Sequence, residues 1–479
     1  MAARVNIMTE PDINYHLKFV WAICLVAALG GLLFGYDWVV IGGAKPFYEA
    51  YFNLTSSFQI GWAMSSALVG CIIGSVLSGG LSDKFGRRRL LILAGFLFTL
   101  SALGTGWANG FNAFVLYRLL GGVGIGLASN LSPMYIAEIS PASMRGKFVS
   151  INQLTIVIGI LAAQLINYLI AEQVAPDADA AQILNSWNGQ RGWRWMFWAE
   201  TVPALLFFLF MFIVPESPRW LVKNGQEQPA EKILEKVGGP AYAQNSMRQI
   251  KNSLIHEIEK VNFRELLDHR MMMILSIAVV LAVFQQWCGI NVIFNYAEEI
   301  FTQAGYDIGD ILLNIVITGV VNLLFTFVAI KTVDRWGRRA LMLTGAGGLT
   351  VIYVLIGLSY YFHFRGILVL LLVITAIACY AMSLAPVTWV LISEIFPNRI
   401  RGAAISISVT MLWIACFLLT YTFPHLNRHL GPARTFWIYA LICAAGFCFI
   451  KYRLPETKGK TLEEIEIELV GGQAKSRPA

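Results

Sequence analysis

The sequence GGLSDKFGRRR at residues 79–89 recurs as IKTVDRWGRRA at residues 330–340, and both copies contain the pattern D-x-x-G-R-R. Two further pairs of segments repeat in the same order: MYIAEISPASMRGK at 134–147 with VLISEIFPNRIRGA at 390–403, and PESPRW at 215–220 with PETKGK at 455–460. Each pair has one copy in each half of the chain, at matching places. The sequence therefore predicts two homologous bundles in parallel orientation, with a binding site near the midplane between them.

The composition indicates what these bundles consist of. Of the 479 residues, 57% are hydrophobic and only 14% are charged, which is typical of a polytopic membrane protein and not of a soluble domain. With about 20 apolar residues per crossing, we predict an all-α protein with twelve transmembrane helices in two six-helix bundles, the major facilitator fold. The expected spans lie near residues 19–41, 60–82, 90–108, 113–136, 149–171, 194–214, 271–295, 310–331, 340–361, 367–391, 403–423 and 434–453.

These spans divide the chain into four parts. We expect an N-terminal bundle at 1–215, a cytoplasmic helical linker at 216–270, a C-terminal bundle at 271–455 and a cytoplasmic tail at 456–479. The polar segment between the sixth and seventh spans sets the first two boundaries.

The basic residues predict the orientation of the chain. One set of connections holds most of them: Lys84, Arg87, Arg88, Arg89, Arg145, Lys147, Lys331, Arg335, Arg338, Arg339, Arg399 and Arg401. The opposite connections, to which we assign Lys45, hold fewer. The positive-inside rule places the richer side in the cytoplasm, and an even number of crossings then places both termini there. Because this rule also explains the formal charge of +7, we expect no nucleic-acid partner.

The sequence offers no candidate for a metal or cofactor site. All seven cysteines lie within apolar segments and have no spacing typical of zinc or of a disulfide framework. The G-x-G in GGVGIGLAS at 121–129 follows no strand, so it predicts close helix packing and not a phosphate loop. We therefore expect no cofactor, no metal and no enzymatic activity.

The duplicated D-x-x-G-R-R loops, together with PESPRWL at 215–221, PETKG at 455–459 and QQWCGIN at 285–291, identify a family resemblance. The chain resembles the sugar porter family of the major facilitator superfamily, and within it the bacterial proton-coupled xylose symporters. The resemblance covers nearly the whole chain. It implies alternating access to a monosaccharide site between the bundles.

The resemblance also implies a network of charges on the cytoplasmic face that holds the bundles together while the outer side is open. Its expected members are Asp83, Arg87, Arg88, Glu138, Arg145, Glu216, Arg219, Asp334, Arg338, Arg339, Glu394, Arg401 and Glu456. Glu138 and Arg145, like Glu394 and Arg401, are seven residues apart, too far for an i,i+4 contact, so their partners should lie on other helices. The alternative is that these charges only fix the topology.

A sugar site needs amide and hydroxyl groups aimed at the ring hydroxyls and aromatic faces against the apolar side of the ring. The candidates are Gln153, Gln285, Gln286, Asn291, Asn295, Asn322, Trp389 and Trp413. For any one amide, hydrogen bonding between helices is the alternative. The chain departs from the family pattern twice, because Asn295 replaces the first of a frequent tyrosine pair and Leu412 replaces a polar residue before Trp413.

Asp37 is the acid that the apolar first span would not be expected to contain, since a charge at a span centre costs about 3 kcal/mol on insertion scales. Proton symporters of the family carry Asp here, and the resemblance matches its arginine partner to Arg118, with Glu200 as a weaker candidate for a relay. The alternative is that Asp37 lies near the outer end of its helix and only reaches water there.

From these observations we predict a proton-coupled monosaccharide importer, taking a pentose or hexose such as xylose or glucose. It should act as a monomer in the lipid bilayer of a bacterial inner membrane. The alternatives are an uncoupled facilitative uniporter of the same fold and, less in keeping with the short tail, a sugar receptor that does not transport.

Overall fold

The computed structural model is helical throughout the residues it describes, which are 15–174, 178–257, 269–396, 401–454 and 456. The long helices of the first half are α1 Leu17–Phe52, α2 Ser57–Phe85, α3 Arg87–Trp107, α4 Phe111–Ile139, α5 Arg145–Ile170 and α6 Trp193–Phe210. Those of the second half are α7 His269–Trp287, α8 Ile308–Trp336, α9 Arg338–Tyr361, α10 Ile367–Ala381 and the helix Arg401–Arg453. Gly431 has a φ of 76° and divides this last helix into α11 (401–430) and α12 (432–453).

The prediction of twelve crossings is confirmed. Among the described residues, ten helices are long and apolar enough to cross a membrane, and one of them, Ala404–Arg453, has 50 residues. At 1.5 Å per residue that helix would extend about 75 Å, more than twice the roughly 30 Å hydrocarbon core, so its break at Gly431 makes it two crossings. With its 18 residues, α6 completes the twelve. Leu169, Val202 and Leu441 are among the large apolar side chains that point outward, as lipid contact requires.

Two predicted spans differ from the observed helices. The seventh is broken, because α7 ends at Trp287, Gly289 has a φ of 87°, and the short helices Ile290–Asn295 and Ala297–Gln303 follow. The tenth continues after α10 as a separate helix, Leu384–Glu394. Hydropathy detects the apolar length of a segment but not a residue with positive φ inside it.

The glycines of α4 allow it to lie directly against α2. A Cβ added at Gly122 would lie 1.8 Å from the backbone oxygen of Ala67, and one at Gly126 would lie 2.4 Å from that of Cys71. The prediction that this glycine-rich segment serves close packing is confirmed. The short distance between the helices holds Arg118, one turn earlier on α4, inside the bundle.

The remaining contacts arrange the helices in two groups. In the first half α1 packs on α4, α5 and α6, and α3 packs on α4 and α6; in the second half α9 packs on α10, and α7 and α9 both pack on the helix Arg401–Arg453. The halves meet where α2 packs on Arg401–Arg453 and where α5 packs on α8. Between the halves, Pro218–Lys223 and Glu227–Glu257 form a small helical unit with its own apolar core around Trp220 and Leu234.

Candidate functional site

A buried ion pair lies inside the first bundle. Asp37 of α1 and Arg118 of α4 are each 2% exposed, and the Arg118 guanidinium donates from Nη1 to Asp37 Oδ1 and from Nη2 to the Asp37 backbone oxygen. Asp37 Oδ2 and Arg118 Nε have no hydrogen-bond partner among the described residues. Burying two charges is costly, and their mutual attraction offsets this cost. A proton on Asp37 would remove the negative charge and with it the main partner of the Arg118 guanidinium.

Glu200 of α6 lies close to this pair. It is 2% exposed, its Oε1 has no partner among the described residues, and it interacts electrostatically with both Asp37 and Arg118. Phe197, three residues earlier, faces the Arg118 guanidinium with 5.7 Å between the guanidinium carbon and the ring centroid. The structure therefore brings together the three residues assigned to proton coupling.

The amides in the last turn of α7 and in the short helix after it form a hydrogen-bonded chain. Gln285 Nε2 donates to the Tyr380 hydroxyl at 2.8 Å, Gln286 Nε2 donates to Gln285 Oε1 at 2.6 Å, and Asn291 Nδ2 donates to Gln286 Oε1. Asn291 Nδ2 also lies 3.6 Å from Cys416 Sγ of α11. Tyr380 and Cys416 were not among the predicted residues, because a lone hydroxyl or thiol in an apolar span gives no sequence signal.

The break at Gly289 makes this chain possible. On one straight helix Gln286 and Asn291 would point about 140° apart at 100° per residue. The left-handed backbone of Gly289 separates them into two helices, so both amides reach the same point. A Cβ at Gly289 would also lie 2.8 Å from the Tyr439 ring, which restricts this position to glycine.

Two of the predicted residues lie at the contact between the halves. Asn295 is 4% exposed, and its Oδ1 has no partner among the described residues. Trp413 is 2% exposed and packs against Phe34 and Trp38 of α1, with ring centroids 5.8 Å and 6.0 Å away. Trp413 therefore joins α11 to the first bundle.

The other predicted sugar residues lie on three different elements. Gln153 is half-buried on α5, Asn322 is buried on α8, and Trp389 is half-buried on the helix Leu384–Glu394. Leu412 is buried beside Trp413 and contributes no polar group at the place where the family pattern has one.

A small cavity, with room for about one water molecule, lies between Arg118 of the ion pair and Asn295. Its walls come from both halves: Trp38, Met64, Ala67, Leu68, Cys71, Arg118, Ile125 and Asn295. Arg118 and Asn295 are its strongly polar members, and each has an unpaired buried atom among the described residues. Arg118 of the first half and Asn295 of the second therefore face the same small space.

We call the side of the molecule that carries the two D-x-x-G-R-R loops the basic side. There Arg87 donates from Nε and Nη2 to the two carboxylate oxygens of Glu138, each at 3.1 Å. Glu216 accepts the backbone amides of Arg87 and Arg88 at 3.0 Å and 3.1 Å, so its carboxylate caps the start of α3. Burial raises the pKa of the Glu216 carboxyl above its ordinary value, although the amide hydrogen bonds lower it in part.

The second copy of the motif has the same cap. Glu456 accepts the backbone amides of Arg338 and Arg339 at 2.9 Å and 3.1 Å. The glycines of the two loops explain why the motif contains this residue: Gly86 and Gly337 have φ of 91° and 89°, and a Cβ on them would lie 2.2 Å from Glu216 Oε2 and 2.7 Å from Glu456 Oε2. Glu216 of PES and Glu456 of PET are thus the capping residues of the two loops.

The remaining members of the network lie near these caps. Asp83 accepts from Arg87 at 3.3 Å and from Lys223 at 3.1 Å, and Arg145 donates to the Ala137 backbone oxygen at 2.9 Å. Arg219 is engaged in contacts of its own. The side chains of Asp334, Glu394 and Arg401 lie outside the described residues. The ion pairs of Arg87 with Asp83 and Glu138, and of Lys223 with Asp83, lie within the first half of the chain.

The halves meet closely on the side opposite the basic side. A Cβ added at Gly61 would lie 2.3 Å from the Tyr421 backbone oxygen, the ring of Phe58 stacks on His425 at 5.0 Å, and Arg428 donates to the Thr55 backbone oxygen at 3.3 Å. This side of the molecule is closed.

The prediction that Lys45 lies in a short connection is wrong. Lys45 lies inside α1 and is 2% exposed. α1 has 36 residues and extends eleven residues beyond the predicted span end at 41. A lysine followed four residues later by Glu49 is the helical signal that could have identified it.

Comparison with known proteins gives one consistent result. The family described as "Sugar (and other) transporter" matches residues 23–469. The chain is similar to the D-xylose-proton symporter of Escherichia coli strain K12, with 42% identity covering 95% of this chain and 96% of the relative. It is also similar to the arabinose-proton symporter of Bacillus subtilis strain 168, with 38% identity covering 95% and 97%. A solved structure of the Escherichia coli xylose transporter, in a partially occluded inward open conformation, matches with a TM-score of 0.81 and 40% identity, covering 93% of this chain and all of that one.

Proposed function

Because the chain belongs to the sugar transporter family, we propose that it imports a monosaccharide by proton symport through alternating access. The substrate class is a pentose or hexose such as xylose or glucose. The observation that carries this proposal is the buried Asp37–Arg118 ion pair. Arg118 also lines a small cavity with Asn295, which places the pair next to the second bundle.

The coupling step begins at Asp37. As a carboxylate Asp37 holds the Arg118 guanidinium. When Asp37 is protonated, it loses most of that attraction and releases Arg118. Glu200 lies near enough to stabilise the released arginine. Protonation thus changes which groups Arg118 contacts, and this difference between two states is what a coupled transporter requires.

The conformational step uses the broken seventh span. Gly289 separates α7 from the helix Ile290–Asn295, and that helix lies against α1, where a Cβ at Gly42 would be 3.2 Å from the backbone oxygens of Phe294 and Asn295. A short helix next to a glycine with positive φ is a suitable hinged gate. The gate helix is packed against α1, and the two halves are also in contact on the side opposite the basic side.

The sugar would bind to the amides on both sides of Gly289, with Gln153 and Asn322 from neighbouring helices and Trp389 and Trp413 as apolar walls. Asn295 offers a shorter hydrogen-bonding group than the tyrosine of the family pattern, and Leu412 offers none. Because a site that leaves a sugar hydroxyl unpaired loses affinity for that sugar, these two positions are our candidates for setting the substrate preference.

The same proposal assigns location and boundaries. The basic side faces the cytoplasm of a bacterial cell, both termini lie there, and the chain works as a monomer in the inner membrane. The bundles comprise 1–215 and 271–455, with the linker 216–270 and the tail 456–479 on the cytoplasmic side. The charge network of the basic side links the bundles only when the opposite side opens. We propose transport without enzymatic conversion of the sugar.

The test is uptake of a labelled sugar into proteoliposomes that contain the purified protein, with and without an imposed proton gradient. A panel of pentoses and hexoses competing against one labelled substrate identifies the sugar. Concentration of sugar only when the gradient is present supports symport. Equilibration that ignores the gradient supports the uniporter, and binding without uptake supports the receptor.

A further inference from the structure

A second charged cluster joins the two bundles on the side opposite the basic side. Lys45 Nζ of α1 lies 3.1 Å from Glu298 Oε2 and 2.9 Å from Glu299 Oε1, both on the helix Ala297–Gln303, and 3.1 Å from Glu49 Oε1 on its own helix. The Lys45 side chain is 3% exposed, and the three carboxylate side chains are 18–21% exposed. We call Lys45, Glu49, Glu298 and Glu299 the outer cluster.

We propose that the outer cluster is a proton-binding lock that holds the transporter closed on this side. This proposal rests on the alternating-access function proposed above. Lys45 belongs to the first bundle and Glu298 and Glu299 to the second, so opening this side must separate them. Glu298 and Glu299 lie on the helix that follows the gate helix Ile290–Asn295 after Tyr296, so movement of the gate would move them as well.

The charges of the cluster do not balance, and this gives the lock its proton dependence. Three carboxylates surround one ammonium group, so two negative charges are in excess when all are ionised. Two neighbouring ionisable groups do not neutralise them, because the Tyr48 hydroxyl donates to Met64 Sδ and the Tyr296 hydroxyl to the Thr420 backbone oxygen. A largely buried cluster with excess negative charge favours binding a proton.

Glu299 is the best placed of the acids to take that proton. It lies beyond the spanning segment, which ends at Asn295, and its Oε2 has no partner among the described residues. The pKa of Glu299 is raised from 4.5 to about 8: burial raises it most, Lys45 lowers it in part, and Glu298 and Glu49 also raise it. Once the gate opens and water reaches Glu299, its pKa returns toward 4.5. The closed state therefore binds the proton more tightly, and acid between these two values favours closure.

The experiment is hydrogen–deuterium exchange of the full-length protein in nanodiscs, followed in the peptide covering residues 290–303 and corrected for the intrinsic pH dependence of exchange. In the wild type we expect exchange of this peptide to slow by about tenfold or more between about pH 8 and about pH 6. Exchange is measured without sugar or a proton gradient, so failure of the lock is distinguishable from failure of the transport function.

Lys45→Met keeps the apolar stem and removes the charge that joins the bundles. We expect faster exchange of the peptide, and the charge-swapped variant Lys45→Glu with Glu298→Lys should restore protection. The matched control is Lys251→Met, which breaks an exposed ion pair to Glu227 at 2.6 Å within the helix Glu227–Glu257 and should leave the peptide unchanged. Equal exchange in Lys45→Met and wild type, or an equal effect in the control, would overturn the lock.

Glu299→Gln tests the proton separately and does not depend on whether Lys45→Met folds. Glutamine resembles the protonated acid, so we expect slow exchange at both pH values and loss of the pH dependence. Exchange that keeps the wild-type pH dependence in this variant would exclude Glu299 as the proton site.

Discussion

Replacing Asp37 by asparagine tests proton coupling most directly. Asn keeps the size of Asp but carries no charge, so the variant resembles a permanently protonated carrier. Arg118 is 2% exposed and would lose its ionic partner; breaking a buried pair by removing one charge costs about 3–5 kcal/mol if nothing rearranges. Glu200 interacts electrostatically with Arg118 and can replace the lost partner in part, so we expect a folded protein that keeps sugar binding.

The expected effect on transport is large. One proton driven by about 100 mV supplies roughly 2.3 kcal/mol, which sustains a sugar gradient of about fifty-fold, since 1.4 kcal/mol corresponds to a factor of ten. In proteoliposomes with this proton driving force imposed, Asp37→Asn should bring the sugar only to equal concentrations inside and outside. Sugar exchange should continue.

The matched control is Asp310→Asn, which makes the same chemical change on an exposed residue in the first turn of α8. It should accumulate sugar as the wild type does. If Asp37→Asn still concentrates sugar, Asp37 is not the coupling acid, and Glu200→Gln becomes the variant to test.

Three further predictions concern the amide site and the basic side. Gln286→Ala removes the middle member of the amide chain and should weaken sugar binding by at least about tenfold, the effect of about 1.4 kcal/mol; unchanged affinity by equilibrium binding would remove Gln286 from the site. Gly86→Ala forces a side chain into a backbone with φ of 91° and against Glu216, so the unfolding free energy should fall by about 1–3 kcal/mol. In the same thermal unfolding assay Gly80→Ala should be neutral or stabilising, because a Cβ there meets nothing within 4 Å, and equal effects in the two variants would exclude the cap. Arg145→Ala should favour the form that is open on the basic side, seen as faster labelling of an introduced cysteine on that side; unchanged labelling would favour a purely topological role.

The apolar spans, the duplication and the composition were sufficient to predict the all-α class and the twelve crossings. These properties depend only on neighbouring residues. A long apolar segment must cross the bilayer as a helix, because every backbone polar group has to be hydrogen-bonded within the segment there. The glycine-rich segment 121–129 also predicted its role locally, because small residues inside a span let two helices approach closely. In the structure α4 lies directly against α2 at this segment. The resemblance supplied Asp37 and Arg118 as a pair, and the structure brings them into contact.

The tertiary structure decided what depends on direction and on contacts between distant residues. Periodicity placed Gln286 and Asn291 about 140° apart, and only the positive φ of Gly289 brings their amides together. Lys45 was predicted in a connection because it follows the apolar run that ends at Ile41. Its contacts with Glu298 and Glu299 join residues more than 250 positions apart. An ion pair of this kind leaves no local pattern, since each charge alone is compatible with a solvated helix end. The sequence by itself thus determined which segments cross the membrane and how the halves repeat, whereas packing between the halves decided which charges are buried together.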